Sequence, residues 1–577
     1  MKENVLFTSV GDNTNFFDLW CEDSRNYDIF VCYYGDDEQD KYKEYSDVYL
    51  KRKGGKMQNF HHVWTNNIGN IKDYKIFYIV DDDIIIKTEQ INELFKLFKE
   101  LDVWILQPSF NEGLEGSCIS HGITIQRKHL KYRYTNFVEI NTPFFSRYAI
   151  SKCMDNYDVS LTGYGIDILF MHIMGMEHEN RYVIVDYITC INPIRTEREI
   201  DKLQPYRVRF NIWRKIHDSL NLKDINHTNF SEVKKLRILL LYRGYPRISH
   251  GYQLSEAEEI FKRNNEIKIV SFSWELYTIS NKHLPYTFNI SPMNDIKNII
   301  NFKPDVIHSH YLDTFESCVK LSNTLKIPFT IKSHSFDILN DDFSNPKRLV
   351  KQINDNKYCS KIIVFPEFYE KLLSFGIKAS KLLPLYPTFH VKQFLSMDPE
   401  HGQHIMSGGA FLPKKNIEGF IILSKKIKER FPNKVINYYS VIENKDYYDE
   451  IMKLNQENNN PVNFLTVQPE YMPNEYKKHQ WLIYTACPEK KNVGNPMMVA
   501  EAQSSGVGVI MYKLRETLDD FVTENGYLYS NDDEVLEIIS RDFDSDKRNK
   551  AIEIAKQRYD VEEKIKDIEN IWINNIY

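Results

Sequence analysis

The sequence predicts an α/β protein built on largely parallel sheets. Two observations set that class: short apolar runs end abruptly in polar or glycine-rich turns, and the stretches between them place apolar residues at helical spacing. A third, the length of 577 residues, requires several hydrophobic cores. Strands are expected over 5–10, 29–34 and 76–80. A helix follows in which Ile91, Leu94, Phe95, Phe98 and Leu101 share one face, with Thr88 as its N-cap, and then a strand over 103–107. A polar stretch with Asp224, Asn226, His227, Thr228, Asn229 and Ser231 breaks the pattern before a fresh strand over 236–242. The expected organisation is a first domain over 1–222, a linker over 223–235, and a two-lobed second part, 236–385 and 386–577, whose second lobe restarts with a strand at 404–408.

Composition narrows the function classes. Hydrophobic residues at 42% and charged residues at 27% exclude a disordered or collagenous chain. Lys and Arg number 74 against 80 Asp and Glu, a net charge of −6, so no global positive field attracts nucleic acid, and none is expected as a partner. The aromatic content of 14% is Tyr and Phe far more than Trp, which suits sugar-stacking surfaces but equally an AT-rich coding sequence. Eight scattered cysteines without a C-x-x-C pair read as free thiols in a reducing compartment. Asp12 comes too early for a signal-peptide core, and no run approaches 18 uncharged apolar residues, so a cytoplasmic location is expected. Lys425, Lys426 and Lys428 leave peripheral membrane contact open beside the simpler reading of a solvated helix face.

The sharpest local signal is the apolar run 77–80 ending in Asp81, Asp82 and Asp83. Clustered carboxylates at a strand end repel one another unless offset, and Asp-x-Asp offers hard oxygen ligands for Mg²⁺ or Mn²⁺ bridging the two phosphates of a nucleotide. An acidic turn leading into the next helix explains the same residues. A second signal is Gly163-Tyr164-Gly165-Ile166-Asp167, a glycine turn delivering one carboxylate just before an apolar stretch. Asp167 there suits a general base toward an acceptor hydroxyl, or simply an acidic helix start.

Together with Lys53-Gly54-Gly55-Lys56 and Asn141-Thr142-Pro143-Phe144-Phe145, these motifs resemble a GT-A glycosyltransferase family first catalogued as a domain of unknown function. The resemblance covers roughly residues 3–215 and extends to the first domain of chlorella-virus multidomain capsid-glycan glycosyltransferases. It implies a metal-dependent inverting enzyme with Asp81 and Asp83 on Mn²⁺ or Mg²⁺, Asp167 as base, and Ser9, Val10, Gly11, Lys56 and Asp81 against the nucleotide. Many members carry a histidine near 190–193, where this chain has Asn192.

The C-terminal part has its own constellation. The runs 303–311 and 327–337 each end a strand in polar groups that include His308, His310 and His334. His308 and His310 suggest a metal pair, but nothing in the sequence supplies further ligands. Downstream, Gly408-Gly409, Lys414, Lys415 and Asn416 lead into a helix with Ile417, Phe420, Ile421, Ile427 and Phe431 inward; glycine turn, lysines and helix N-terminus suit a diphosphate without metal. Glu501 follows, placed to accept hydrogen bonds from ribose hydroxyls. These segments, over roughly 236–575, resemble the retaining GT-B glycosyltransferases of family four. By that resemblance His334 is the histidine of the catalytic cleft, Lys415 is the diphosphate lysine, Glu501 is the second glutamate of a Glu, seven residues, Glu motif, and the final helices, near 551–555 and 561–572, brace the first lobe. Val493 stands in place of the first glutamate and Ala410 in place of a frequent arginine.

The combined expectation is a bifunctional glycosyltransferase: an inverting, metal-dependent GT-A module followed by a retaining, metal-independent GT-B module. Its partners would be UDP- or dTDP-sugar donors and an oligosaccharide, lipid-linked or protein-linked glycan acceptor, the product a surface polysaccharide or capsid glycan. The alternative keeps one module catalytic and makes the other a glycan-binding or positioning unit.

Overall fold

The computed structural model describes residues 2–576 apart from 13, 15, 38–39, 112–116, 195–198, 246–250, 274–288, 293–294, 340–344, 396–402, 441, 443, 488–492, 523–525 and 542–543. The chain forms two compact units, Met1–Lys235 and Leu236–Tyr577.

The first unit is a nine-stranded mixed sheet in the order Val48–Lys51, Tyr27–Tyr33, Asn4–Val10, Ile76–Asp81, Phe144–Ser146, Ile105–Phe110, Tyr182–Cys190, Leu130–Thr135 and Asn229–Lys234. Its first four strands are parallel, and Phe144–Ser146 runs antiparallel to both of its neighbours. Helices cover both faces, which explains why the runs look uniformly apolar: Val5, Phe7, Phe77 and Ile79 enter one core, while Leu6, Ile76, Tyr78 and Val80 enter the other. Strand order reverses between Asn4–Val10 and Ile76–Asp81, so their carboxyl ends, paired as Ser9 with Asp81, flank the crevice where open α/β sheets bind ligands.

Two expectations need correction. The stretch 223–235 is not a linker: Asn229–Lys234 adds an antiparallel edge strand to Leu130–Thr135, and Asn136 ties down the approach to it, bonding Asn226 O and Thr228 N. Its polar composition reflects its position at the sheet edge, where few of its side chains are covered. Thr88 does not cap its helix. The helix runs Thr88–Leu101, Gln90 Oε1 accepts from the Lys87 amide at 3.0 Å, and the Thr88 hydroxyl donates to Leu19 O.

The second unit contains two sheets whose paired strands are all parallel. The first is ordered Asn289–Pro292, Glu266–Ser273, Arg237–Gly244, Val306–His310, Phe329–Lys332, Cys359–Val364, Leu382–Pro384. The second is ordered Asn463–Leu465, Ile436–Tyr439, His404–Gly408, His479–Tyr484, Gly508–Tyr512, Gly526–Tyr529. Each reverses order beside its first strand, so each has its own switch point. The last helix, Val561–Ile576, returns to the first sheet, burying Val561, Ile565, Ile568 and Trp572 with Ile238 and Leu240. Glu569 accepts from Arg263 and Asn265, and Trp572 Nε1 donates to Thr330 Oγ1 at 3.0 Å. Among the described residues no helix is long and apolar enough to cross a membrane, and the eight cysteines are free thiols.

Candidate functional site

In the first unit, the structure brings the expected residues to the switch point and connects them through groups the motifs do not contain. Asp81 ends its strand; its carboxylate, 37% exposed, accepts from Lys56 Nζ at 2.9 Å. The same ammonium, 10% exposed, donates to Ile140 O at 2.7 Å and Asn141 O at 3.2 Å, so Lys56, the first residue of the helix Lys56–Thr65, ties that helix start to the strand end. Gly55 cannot carry a side chain, because a Cβ would lie 2.5 Å from Thr162 O. Asp82 turns inward, its carboxylate accepting from the Gly11 amide at 3.1 Å, and Asp83 lies half-buried in the same turn. Ser9 Oγ accepts from Asn59 Nδ2 at 3.1 Å. The Val10 side chain is in the core and its carbonyl accepts from the Tyr34 amide, so this position shapes the crevice from behind.

Asp167 is 8% exposed, on the first turn of the helix Ile166–Met174. Gly165 precedes it at φ 84°, with Trp213 packed where a Cβ would stand; both conditions require glycine. His121 Nε2 lies 3.6 Å from Asp167 Oδ2. Burial lowers the His121 pKa, but the hydrogen bond and charge of Asp167 raise it overall. Glu139 completes the cluster: burial, then the Asp167 charge, pushes its carboxyl up to about 7. Asn141 donates to Glu139 at 2.9 Å, and the Asn141 carbonyl accepts from Lys56 and from the Asp81 amide, so Asp81 is linked by hydrogen bonds to Glu139, the neighbour whose titration Asp167 influences. His121 escaped sequence reading because no motif surrounds it, and Glu139 because it stands two residues before the Asn141–Phe145 motif with nothing local to mark it. Asn192 exchanges bonds with Cys118, accepting its amide at 2.7 Å and donating to its carbonyl at 3.0 Å, which makes it a loop tie.

The Glu139 environment predicts a pH effect on stability. Thr124 has one hydroxyl proton, taken by His121 O at 2.7 Å, so its 3.3 Å contact to Glu139 suits a protonated carboxyl as donor. With a native value near 7 against 4.5 for the ordinary carboxyl, Glu139 contributes stability that is fully present below pH 4.5 and lost as pH rises through 7. The loss amounts to about 3 kcal/mol. Glu139→Gln, which keeps a donor toward Thr124, is expected to be more stable than wild type at pH 8 and close to it at pH 4.5 in denaturant titrations. An equal difference at both pH values would contradict the assignment.

The donor set of Asp81 and Asp83 is two carboxylates, the hard oxygen ligands that Mg²⁺ and Mn²⁺ prefer, with Asp81 open to solvent at a strand end. These residues fit such an ion, and Lys56 would then share Asp81 with it.

The second unit has a cleft of about 580 Å³ lined from both sheets, with His334 on one side and Gly409, Lys414, Lys415 and Glu501 on the other. His404–Gly408 ends in Gly408 and Gly409, the latter at φ 134°. Lys415 Nζ donates to Tyr484 Oη at 2.6 Å and lies 5.1 Å above its ring. Asn416, next to the cleft-lining Lys415, caps the helix Ile417–Arg430 by accepting from Gly419 N at 3.2 Å. Glu501 Oε2 accepts from Tyr476 Oη at 2.6 Å, and burial raises its pKa. Val493 and Ala410, the two departures, also line the cleft. Arg515 fixes the Val493 carbonyl at 2.6 Å while forming an ion pair with Glu367 at 2.6 Å. On the helix expected to face solvent or lipid, Lys426 pairs with Asp532 at 2.7 Å.

Beneath His334 lies a buried polar hub. Glu256 meets Lys332 Nζ and the Thr388 hydroxyl on one oxygen, and His310 Nε2 at 2.9 Å and His308 Nε2 at 3.6 Å on the other. Glu256 was not foreseen as a partner of the two histidines, because it comes from the helix Gly251–Lys262, more than fifty residues upstream. The three donor atoms lie within 4.8 Å of one another, but Lys332 already supplies the positive charge that the carboxylate needs.

No protein-family model matches the chain, and no curated protein matches it. Solved structures that it is similar to include HepE from Anabaena in complex with UDP and glucose, at 15% identity and a TM-score of 0.47, covering 58% of this chain and 99% of that one. A glycosyltransferase from Rickettsia africae matches at 12% identity and a TM-score of 0.47, covering 59% and 99%. TarM matches at 11% identity and a TM-score of 0.46, covering 58% and 98%.

Proposed function

We propose that the chain is a bifunctional glycosyltransferase that uses nucleotide-sugar donors to extend a glycan, the first unit as an inverting GT-A module and the second as a retaining GT-B module. The observation behind this reading is a contrast of charge at equivalent places. The first unit's switch point carries carboxylates, and the cleft of the second carries a glycine turn and lysines, so the same diphosphate would be met once through a cation and once directly.

In the first unit Asp81 and Asp83 would hold Mn²⁺ or Mg²⁺, which when bound offsets the charge of the departing diphosphate. Lys56 orients Asp81, and Asp167 takes the proton of the acceptor hydroxyl. Glu139, protonated below about pH 7, keeps a second negative charge away from Asp167, and His121 holds the Asp167 carboxylate in place. In the second unit Gly409, Lys414 and Lys415 receive the diphosphate, Glu501 the ribose hydroxyls, and His334 the transferred sugar.

The test uses the full chain with UDP-, dTDP- and GDP-sugars and a panel of glycan acceptors. Asp81→Asn with Asp83→Asn is expected to remove one linkage by on the order of 10²–10³-fold, and EDTA should remove the same one. Lys415→Met with Glu501→Gln is expected to remove a second linkage that EDTA spares. If both variant pairs abolish the same single linkage, only one module is catalytic. Val493 and Ala410 favour the second unit as the silent partner in that case.

A further inference from the structure

A carboxylate, a lysine and two histidines, all essentially sealed from water, are an expensive way to fill space beneath a cleft. Apolar side chains of similar volume would fill it at lower cost, so the arrangement asks for a role. The hydrogen-bond directions supply one. Glu256, paired with Lys332, is ionised: burial opposes its charge, but Lys332 and His310 outweigh that and hold it well below the usual carboxylate range. An ionised carboxylate only accepts, so the 2.9 Å contact places a proton on His310 Nε2. Burial, foremost, keeps the His310 ring neutral, its pKa lowered to about 4, so its Nδ1 is an acceptor. That nitrogen lies 3.1 Å from His334 Nε2, and the bond between them requires a proton on His334 Nε2. The His334 ring is then a fixed tautomer with Nδ1 as its acceptor nitrogen.

The ring is also held in plane. Tyr311 stacks on it at 4.1 Å and 26°, Tyr252 lies 5.1 Å away, and the His334 amide donates to Asp337 at 2.8 Å. The far side of the hub is tied as well: Trp572 donates to Thr330 Oγ1, which lies 2.8 Å from His308 Nδ1, and His308 Nε2 lies 3.6 Å from Glu256 Oε2. His310 and His334 therefore have one consistent proton assignment.

We propose that Glu256 and His310 are positioning residues that fix the tautomer and orientation of His334, making it a hydrogen-bond acceptor for a hydroxyl group of the sugar or glycan bound in the cleft. The proposal rests on the reading of His334 as a residue of the transfer site, and its test separates the two.

The experiment is nitrogen-15 NMR of histidine-labelled full-length protein, with His334→Ala used to assign the His334 signals, alongside steady-state transfer by the second unit. In wild type at neutral pH, His334 is expected to show a protonated Nε2 and an unprotonated Nδ1. His310→Phe removes the acceptor but leaves Glu256 with Lys332 and Thr388. It is expected to convert the His334 signal to a mixture of tautomers, and to lower kcat about tenfold with donor KM within about twofold, the size of one hydrogen bond lost at the transition state. A wild-type proton on Nδ1, or a His334 pattern unmoved by His310→Phe, overturns the proposal; the wild-type spectrum decides even if the variant does not fold. One equivalent of tightly bound metal in the purified chain, lost in His310→Phe, also overturns it, because His310 Nε2 would then be a ligand. If the nitrogen pattern shifts as expected while His334→Ala transfers at the full rate, the positioning network stands and the role of His334 in transfer falls.

Discussion

Lys332→Met is expected to destabilise the second unit by about 3–5 kcal/mol near pH 8, because it leaves Glu256 as an uncompensated charge in a site with no exposed surface. Methionine matches the volume of the lysine stem, so little of this comes from a cavity. The Thr388 hydroxyl and the His310 N–H still reach the carboxylate, but neutral donors do not replace an ammonium. The double variant Lys332→Met with Glu256→Gln removes both charges, and it should recover most of the loss. A pH dependence follows, with its sign fixed by His310. Its pKa is lowered to about 4, first by burial and also by the neighbouring Lys332 charge, against the attraction of Glu256. Without Lys332 the balance shifts toward Glu256, the His310 pKa rises, and its protonation restores a positive partner as pH falls. The variant is therefore closer to wild type at pH 5 than at pH 8. Urea titrations at the two pH values read this directly. A variant as stable as wild type at pH 8 would mean that Glu256 is not ionised in the native protein.

The parts of this molecule that were legible in the sequence are those where one chain segment contains the whole signal. The strand ends at Asp81, His310 and Gly408 could be read because a buried parallel strand is a continuous apolar run and its functional end is polar, so the transition itself marks the position. Glycines 165 and 409 could be read as special because no other residue adopts their backbone conformation without strain. What could not be read was assembled from distant segments. His121, Glu139 and Asp167 come from three separate stretches, and Glu256 reaches His310 across the first sheet of its unit. A buried glutamate on an amphipathic helix carries no local mark of its partners; only its depth on the inward face of Gly251–Lys262, where Ala257 and Ile260 are also buried, hints that something must neutralise it. The edge strand Asn229–Lys234 was read as a linker for a related reason: with a partner on one side only and few buried side chains, it lacks the apolar run that marks the central strands.

Gly409→Val is expected to reduce transfer by the second unit about a hundredfold while leaving any linkage made by the first unit unchanged. Two effects converge at this position. The backbone sits at φ 134°, which a β-branched residue adopts only under strain. A Cβ there would lie 3.0 Å from Lys415 Cε, and valine adds two methyl groups, so the lysine stem must move off the Tyr484 ring and away from its 2.6 Å bond to the hydroxyl. The ammonium is a point charge whose attraction to a diphosphate depends on where it is held, so displacing it weakens donor binding and leaving-group stabilisation together. The effect should thus appear in both KM and kcat. Lys415→Met removes the same charge without straining the turn, and gives most of the loss. If Gly409 acts through Lys415, the double variant is little worse than Lys415→Met alone, whereas independent roles would multiply the two losses. The coupling measured in that cycle decides whether the glycine turn matters to the cleft because it shapes the backbone around a phosphate or because it makes room for the lysine. The 3.0 Å approach of the Lys415 stem argues for the second.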